Sequence, residues 1–163
     1  AATHQNNVRR VIRALEIYEL TGKKKSELDA LPSLKKYDAC VLILHTPDRA
    51  LQNRRIEERT EIMLREGLIE ETQRLLESGA LAQNNTATQA IGYKEILGYV
   101  RGECTLDEAK EKLIIATRQY AKRQDTWFSG AQYRDYAHRI EITEENPDPF
   151  PCAESLVNEF LEK

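Results

Sequence analysis

"ACVLIL", Ala39 to Leu44, constrains the fold more than any other stretch of the chain. It is too short for a helix, and its Val and Ile content is that of a strand. With no polar alternation, both of its faces need cover, as in a buried parallel strand. A second short strand is predicted at "HRIEIT", His138 to Thr143. The segments between read mostly as helix, and strand-then-helix order implies parallel α/β pairing. Two short parallel strands do not make a stable sheet by themselves, so the pattern predicts further strands outside this chain.

The helices announce their ends. Asn6 or Asn7 can cap "VRRVIRALEIYELTG", with Gly22 as a left-handed stop. "KKKSELDALPSLKKYD" reads as a polar connector. After the first strand, "TPD" predicts a helix start with Thr46 as cap, Pro47 in the first turn and Asp48 at the positive end. "RALQNRRIEERTEIMLREG" and "LIEETQRLLESG" should stop near Gly67 and Gly79. "ALAQNNTATQA" is a loop into "TQAIGYKEILGYV", with Thr88 as candidate cap. In "TLDEAKEKLIIATRQYAKRQDTWF", the residues Leu106, Ala109, Leu113, Ala116, Tyr120 and Trp127 recur at helical spacing and predict a core stripe. "NPDPFP" is a connector and "CAESLVNEFLEK" a closing helix.

The net charge of −3 hides an uneven distribution. From Ala1 to Lys25 six basic residues face Glu16 and Glu19, and from Thr117 to Arg134 four face only Asp125. From Glu141 to Lys163 seven acidic residues face one Lys. A polyanion partner is therefore compatible with the acidic balance, provided the basic surface is local. No apolar run approaches the ~20 residues of a membrane span. Cys40, Cys104 and Cys152 are odd in number and widely spaced, which suits reduced thiols of a cytoplasmic protein. Ala1 in place of an initiator Met predicts a processed chain or a piece of a longer one.

Four stretches could carry chemistry. Arg123 falls on the stripe after Tyr120, where a charge needs a salt bridge or an anionic ligand; Arg118 and Lys122 fall on the opposite, solvated face. In "QAIGYKE", Gly92 inside a helical pattern costs ~1 kcal/mol against Ala, for packing or for close approach of a ligand. Tyr93 and Lys94 beside it offer a stacking plane and a charge. Arg9, Arg10 and Arg13 crowd a helix N-terminus, against the dipole, and form either an anion site or ion pairs such as Arg13 with Glu16. Arg55 and Arg59 share a helix face with Glu57, Glu58 and Glu61 interspersed, an ordinary charged helix on pattern alone. His4, His45 and His138 are too scattered for a metal site, and no GxxxxGK[ST] phosphate loop occurs.

"NNVRRVIRALEIYELTGK", "RRIEERTEIMLREGLIEET", "TATQAIGYKEILGYVRGE" and "ATRQYAKRQDTWF", in this order, resemble the later part of the tRNA dimethylallyltransferase (tRNA isopentenylpyrophosphate transferase) family. The resemblance implies a helix-dominated α/β fold: a partial P-loop NTPase-like parallel sheet with most strands missing, plus helical elements. Residues 1–36 would be the edge of the family's helical insertion region, and 37–163 the C-terminal part of the α/β core. The implied activity is transfer of a dimethylallyl group from dimethylallyl diphosphate to N6 of the adenosine 3′ of the anticodon. Magnesium assists, and the base is flipped into a channel. Nucleotide (ATP) binding is implied with the phosphate loop. That loop, the Asp general base and most magnesium ligands belong to the family's opening portion, which is not matched here and becomes an expected partner.

By the same resemblance, Arg59 is the catalytic arginine that holds the diphosphate leaving group. Three strips face the tRNA anticodon stem-loop: Arg9, Arg10, Val11, Ile12 and Arg13; then Gln89, Ala90, Ile91, Gly92, Tyr93 and Lys94. The third is Lys122, Arg123, Gln124, Asp125, Thr126, Trp127, Phe128 and Ser129. Ser129 stands where many members carry a basic residue, which predicts a weaker contact there. His4-Gln5-Asn6 replaces the usual His-Pro-Asn. The sequence shows no zinc-finger extension, from which the resemblance predicts a bacterial type. The competing expectations are a non-catalytic RNA-binding or helical interaction module, and a structural fragment without activity of its own.

Overall fold

The computed structural model describes residues 6–29, 38–81, 86–133 and 136–162. The chain divides into two compact units, Ala1–Ala39 and Cys40–Lys163. In the first, α1 (Val8–Thr21) begins where the Asn7 side chain accepts from the Arg10 N–H and ends at Gly22 with φ of 67°, as its sequence predicts. The predicted connector is not wholly irregular: it holds the short helix α2 (Lys25–Asp29), closed by a Lys25–Asp29 ion pair. Residues 30–37 of that connector lie outside the described residues.

The second unit carries β1 (Val41–His45), α3 (Arg49–Arg65), α4 (Leu68–Glu77), α5 (Tyr93–Val100), α6 (Leu106–Phe128), β2 (Ala137–Glu141) and α7 (Phe150–Leu161). The strands pair in parallel, Val41 opposite Ala137 and His45 opposite Glu141. Helix-dominated α/β architecture with a small parallel sheet is thus what the chain adopts. Ile43, Ile140 and Ile142 are buried, but Leu44 is 56% exposed, so the other face of β1 lacks cover among the described residues. The main core lies among the helices. Helix α5 packs between α4 and α6, and α3 packs on α6, burying Leu51, Ile96, Leu97, Ala109 and Leu113. Thr60 and Thr72 are buried there too, and each hydroxyl donates to the carbonyl four residues back, Ile56 and Leu68.

Two predicted caps are corrected. The cap of α3 is Asp48, whose carboxylate accepts from the Ala50 N–H at 2.8 Å, and not Thr46. Pro47 disfavours helical backbone at Thr46, so the start moves past it. Thr88 is no cap either: it is buried in a single 3₁₀ turn, Thr86–Gln89, and the cap of α5 is Gly92. Gly92 is therefore not interior to a helix. Its φ of 110° is open to glycine and strained for other residues, which explains the residue without any appeal to close packing. Glu95 Oε2 accepts from the Gly92 N–H at 2.9 Å.

A candidate leaving-group groove and nucleic-acid interface

Helix α6 is the axis of the candidate site, and it changes character along its length. Thr105 caps it, accepting from the Glu108 N–H while Glu108 accepts from the Thr105 N–H. Ala109 and Leu113 are fully buried, as the stripe predicts. The stripe then fails as a core: Tyr120 is 48% and Trp127 63% exposed. The helix outruns its packing partners, and its last two turns present their seam to solvent.

That seam is cationic and aromatic. Arg123 is exposed, not enclosed, and its guanidinium lies 5.7 Å from the Tyr120 ring centre, a cation–π distance. Trp127 Nε1 donates to the Tyr133 hydroxyl at 2.9 Å, and the Tyr133 ring packs on Phe128 at 5.4 Å. Lys122, Arg123, Thr126, Trp127 and Gly130 line one depression of about 350 Å³. Asp125 is half-buried with Oδ1 3.6 Å from His45 Nδ1, and Gln124 turns toward α3. Ser129 closes the helix. Arg118 departs from the solvated reading. It pairs with Glu57 on α3, and its buried Nε has no hydrogen-bond partner among the described residues.

Between α3 and the seam of α6 runs a second depression, of about 440 Å³, where Gln52, Arg55 and Arg59 face Tyr120, Ala121 and Gln124. Two of the three carboxylates interspersed with Arg59 are directed elsewhere, Glu57 to Arg118 and Glu61 to Lys110, and Glu58 forms no ion pair with it. Among the described residues neither Arg55 nor Arg59 makes an ion pair. Two guanidiniums on one wall of a groove suit a multiply charged oxyanion. Arg55 had the sequence signal of a shared helix face, four residues from Arg59, but no reason to be singled out until the groove was visible.

The other predicted strips are placed less uniformly. Gln89, Ala90 and Ile91 are exposed ahead of α5, Gly92 is buried, and Lys94 is exposed. Gln89 and Lys94 share a depression with Arg101 and Lys112. Tyr93 is half-buried, and its hydroxyl donates to Glu71 at 2.8 Å; that bond raises the phenol's pKa, with burial adding to it. In the first unit, Arg9, Arg10, Ile12 and Arg13 are exposed, Val11 is half-buried, and Arg13 pairs with Glu16 at 3.0 Å. No group of three or more His, Cys, Asp or Glu fit for a metal ion occurs among the described residues. No helix among them is long and apolar enough to cross a membrane.

The IPP transferase family matches residues 1–131. The chain belongs to that family. A relative named tRNA dimethylallyltransferase from Thermoanaerobacter sp. (strain X514) is 43% identical over 133 residues, 80% of this chain and 42% of the relative. One of the same name from Shouchella clausii (strain KSM-K16) is 48% identical over 140 residues, 86% of this chain and 44% of the relative. The chain thus spans less than half the length of these curated relatives. Among solved structures, a tRNA delta(2)-isopentenylpyrophosphate transferase from Staphylococcus epidermidis superposes with a TM-score of 0.65. It is 31% identical and covers 99% of this chain and 51% of its own. A eukaryotic dimethylallyltransferase captured acting on tRNA reaches 0.82 at 29% identity, over 98% of this chain and 42% of its own.

Proposed function

We propose that this chain supplies the RNA-holding surface and the leaving-group arginine of a tRNA dimethylallyltransferase. The observation that carries the reading is the α3–α6 groove, where Arg59, with Arg55 beside it, makes no ion pair among the described residues while Glu57 and Glu61 are engaged by Arg118 and Lys110. In the reaction, N6 of the adenosine 3′ of the anticodon attacks the first carbon of dimethylallyl diphosphate. The carbon–oxygen bond breaks, diphosphate leaves with the electron pair, and the N6 proton passes to a base. Arg59 and Arg55 neutralise the charge that gathers on the departing oxygens, an interaction that strengthens as the bond breaks. Lys122 through Ser129, Gln89 through Lys94 and Arg9 through Arg13 hold the anticodon stem-loop.

No phosphate-loop motif occurs in the sequence, so the base, the phosphate loop and the magnesium ligands fall to the rest of the enzyme. Magnesium, when bound, would offset charge on the diphosphate; the described residues offer it no carboxylate cluster. Residues 1–36 are assigned to the edge of the helical insertion and 37–163 to the α/β core, in a cytoplasmic protein. The test is transfer of labelled dimethylallyl from its diphosphate to an anticodon stem-loop with magnesium. The complete protein should label the adenosine and the 163-residue chain alone should not. Normal turnover by the chain alone would overturn this division of labour. Salt-sensitive RNA binding with no transfer by the complete protein would favour a non-catalytic binding module.

A further inference from the structure

Arg139 stands on β2 opposite Ile43, and its side chain reaches the end of α6. Its Nη2 donates to the Phe128 carbonyl at 3.3 Å and to Ser129 Oγ at 3.1 Å. Both bonds use one nitrogen of a group that has five N–H donors in a planar fork. Nε and Nη1 bond to no described residue, and among the described residues no carboxylate forms an ion pair with this guanidinium. Asp125 and Arg139 line a common depression of about 290 Å³, but the Asp125 carboxylate lies against His45 instead. An arginine serving only as a helix-end anchor needs no more than the first two bonds. This one holds the remainder of its fork open on an exposed surface.

The surroundings say what that fork could take. A depression of about 350 Å³ is lined by Phe128, Ser129, Gly130, Tyr133 and Arg139, and it adjoins the Lys122–Arg123 depression at Gly130. Trp127 borders one and Tyr133 the other, and the hydrogen bond between them joins the two rings into a divider. The result is an aromatic ridge with Lys122 and Arg123 on one side and Arg139 on the other. Single-stranded nucleic acid repeats that arrangement, a flat base with a phosphate on either side. We propose that Arg139 binds a backbone phosphate of single-stranded RNA, bringing positive charge from β2 to the end of α6, where its Nη2 already holds Ser129. This rests on the RNA-binding reading above and adds a residue outside all three predicted strips.

The test is salt-dependent binding of an anticodon stem-loop by the complete protein. Arg139→Gln keeps an amide donor for the Phe128 carbonyl and removes the charge. It should bind on the order of fivefold more weakly, with the log–log salt slope lowered by about 0.7 to 0.9, the value for one phosphate left without its cation. Ser129→Arg in the Arg139→Gln background should restore the slope, which a purely structural role would not do. Ser129→Glu, which pairs Arg139 in place, should lower the slope as well and serves if Arg139→Gln fails to fold. If neither variant changes the slope while Lys122→Gln and Arg123→Gln do, the Arg139 assignment falls and the RNA surface stands. If the parent itself shows no salt-dependent binding, both fall.

Discussion

If Arg59 grips the departing diphosphate, its hold is strongest when the carbon–oxygen bond is nearly broken. Arg59→Ala in the complete enzyme should then lose on the order of 3 kcal/mol of transition-state stabilisation, roughly a hundredfold in turnover, with tRNA affinity almost unchanged. Arg59→Lys should recover part, since it keeps the charge without the planar fork. An ordinary surface pair would be worth well under ~1 kcal/mol and would leave turnover intact, so turnover within threefold of the parent at saturating substrate rejects the assignment. Gly92 makes a different point. A Cβ there meets nothing within 4 Å, yet its φ is 110°. Gly92→Ala should therefore destabilise through the backbone alone, by about 1–2 kcal/mol in denaturant unfolding. A change near zero would show that the N-terminus of α5 can relax to a helical φ.

Helix α6 shows how far sequence reasoning reaches and where it stops. The existence of α6 and the burial of Ala109 and Leu113 follow from spacing, because periodicity reports which residues share a face. Where that face stops being core depends on how far α3 and α5 extend beside it, and no spacing within α6 contains that length. Tyr120 and Trp127 thus read as core and are exposed. Arg139 had no signal at all, since its position depends on a parallel pairing between segments distant in the chain. Caps lie between these cases: Asn7 was legible, while Thr46 and Asp48 differ only in which side of a proline they occupy. Thr105→Ala removes the cap of α6 and should cost about 1 kcal/mol by thermal unfolding. Glu108 gives this cap a pH signature. The Thr105 N–H, and then its hydroxyl, hold the Glu108 carboxyl below its ordinary value of 4.5. A depressed carboxylate contributes stability that is fully present above 4.5 and is lost as pH falls through the lower folded value. Melting temperature measured from neutral pH downward should fall less steeply for Glu108→Gln than for the parent.

At the scale of the whole molecule, the overall charge of −3 and the local basic surfaces predict opposite things, and the local surfaces should govern binding. Replacing Arg9, Arg10, Lys94, Lys122 and Arg123 together by Gln should weaken stem-loop binding and flatten its salt dependence by about 0.7 to 0.9 for each phosphate no longer neutralised. Equal affinity with an equal slope would place the RNA elsewhere or nowhere. The sheet has its own consequence, one of timing. Helices α4, α5 and α6 pack on their successors in the chain and α3 closes back on α6, whereas β1 and β2 pair across the whole helical array between them. Closing so long a loop should set the slow step of assembly, and the exposed Leu44 face adds little to hold the pair shut. The strand amides should accordingly exchange with solvent sooner than those of α5 and the first half of α6. Arg139 rides on the second of those strands. The contact it makes with the end of α6 should therefore form last as the molecule folds, and be the first lost when it begins to open.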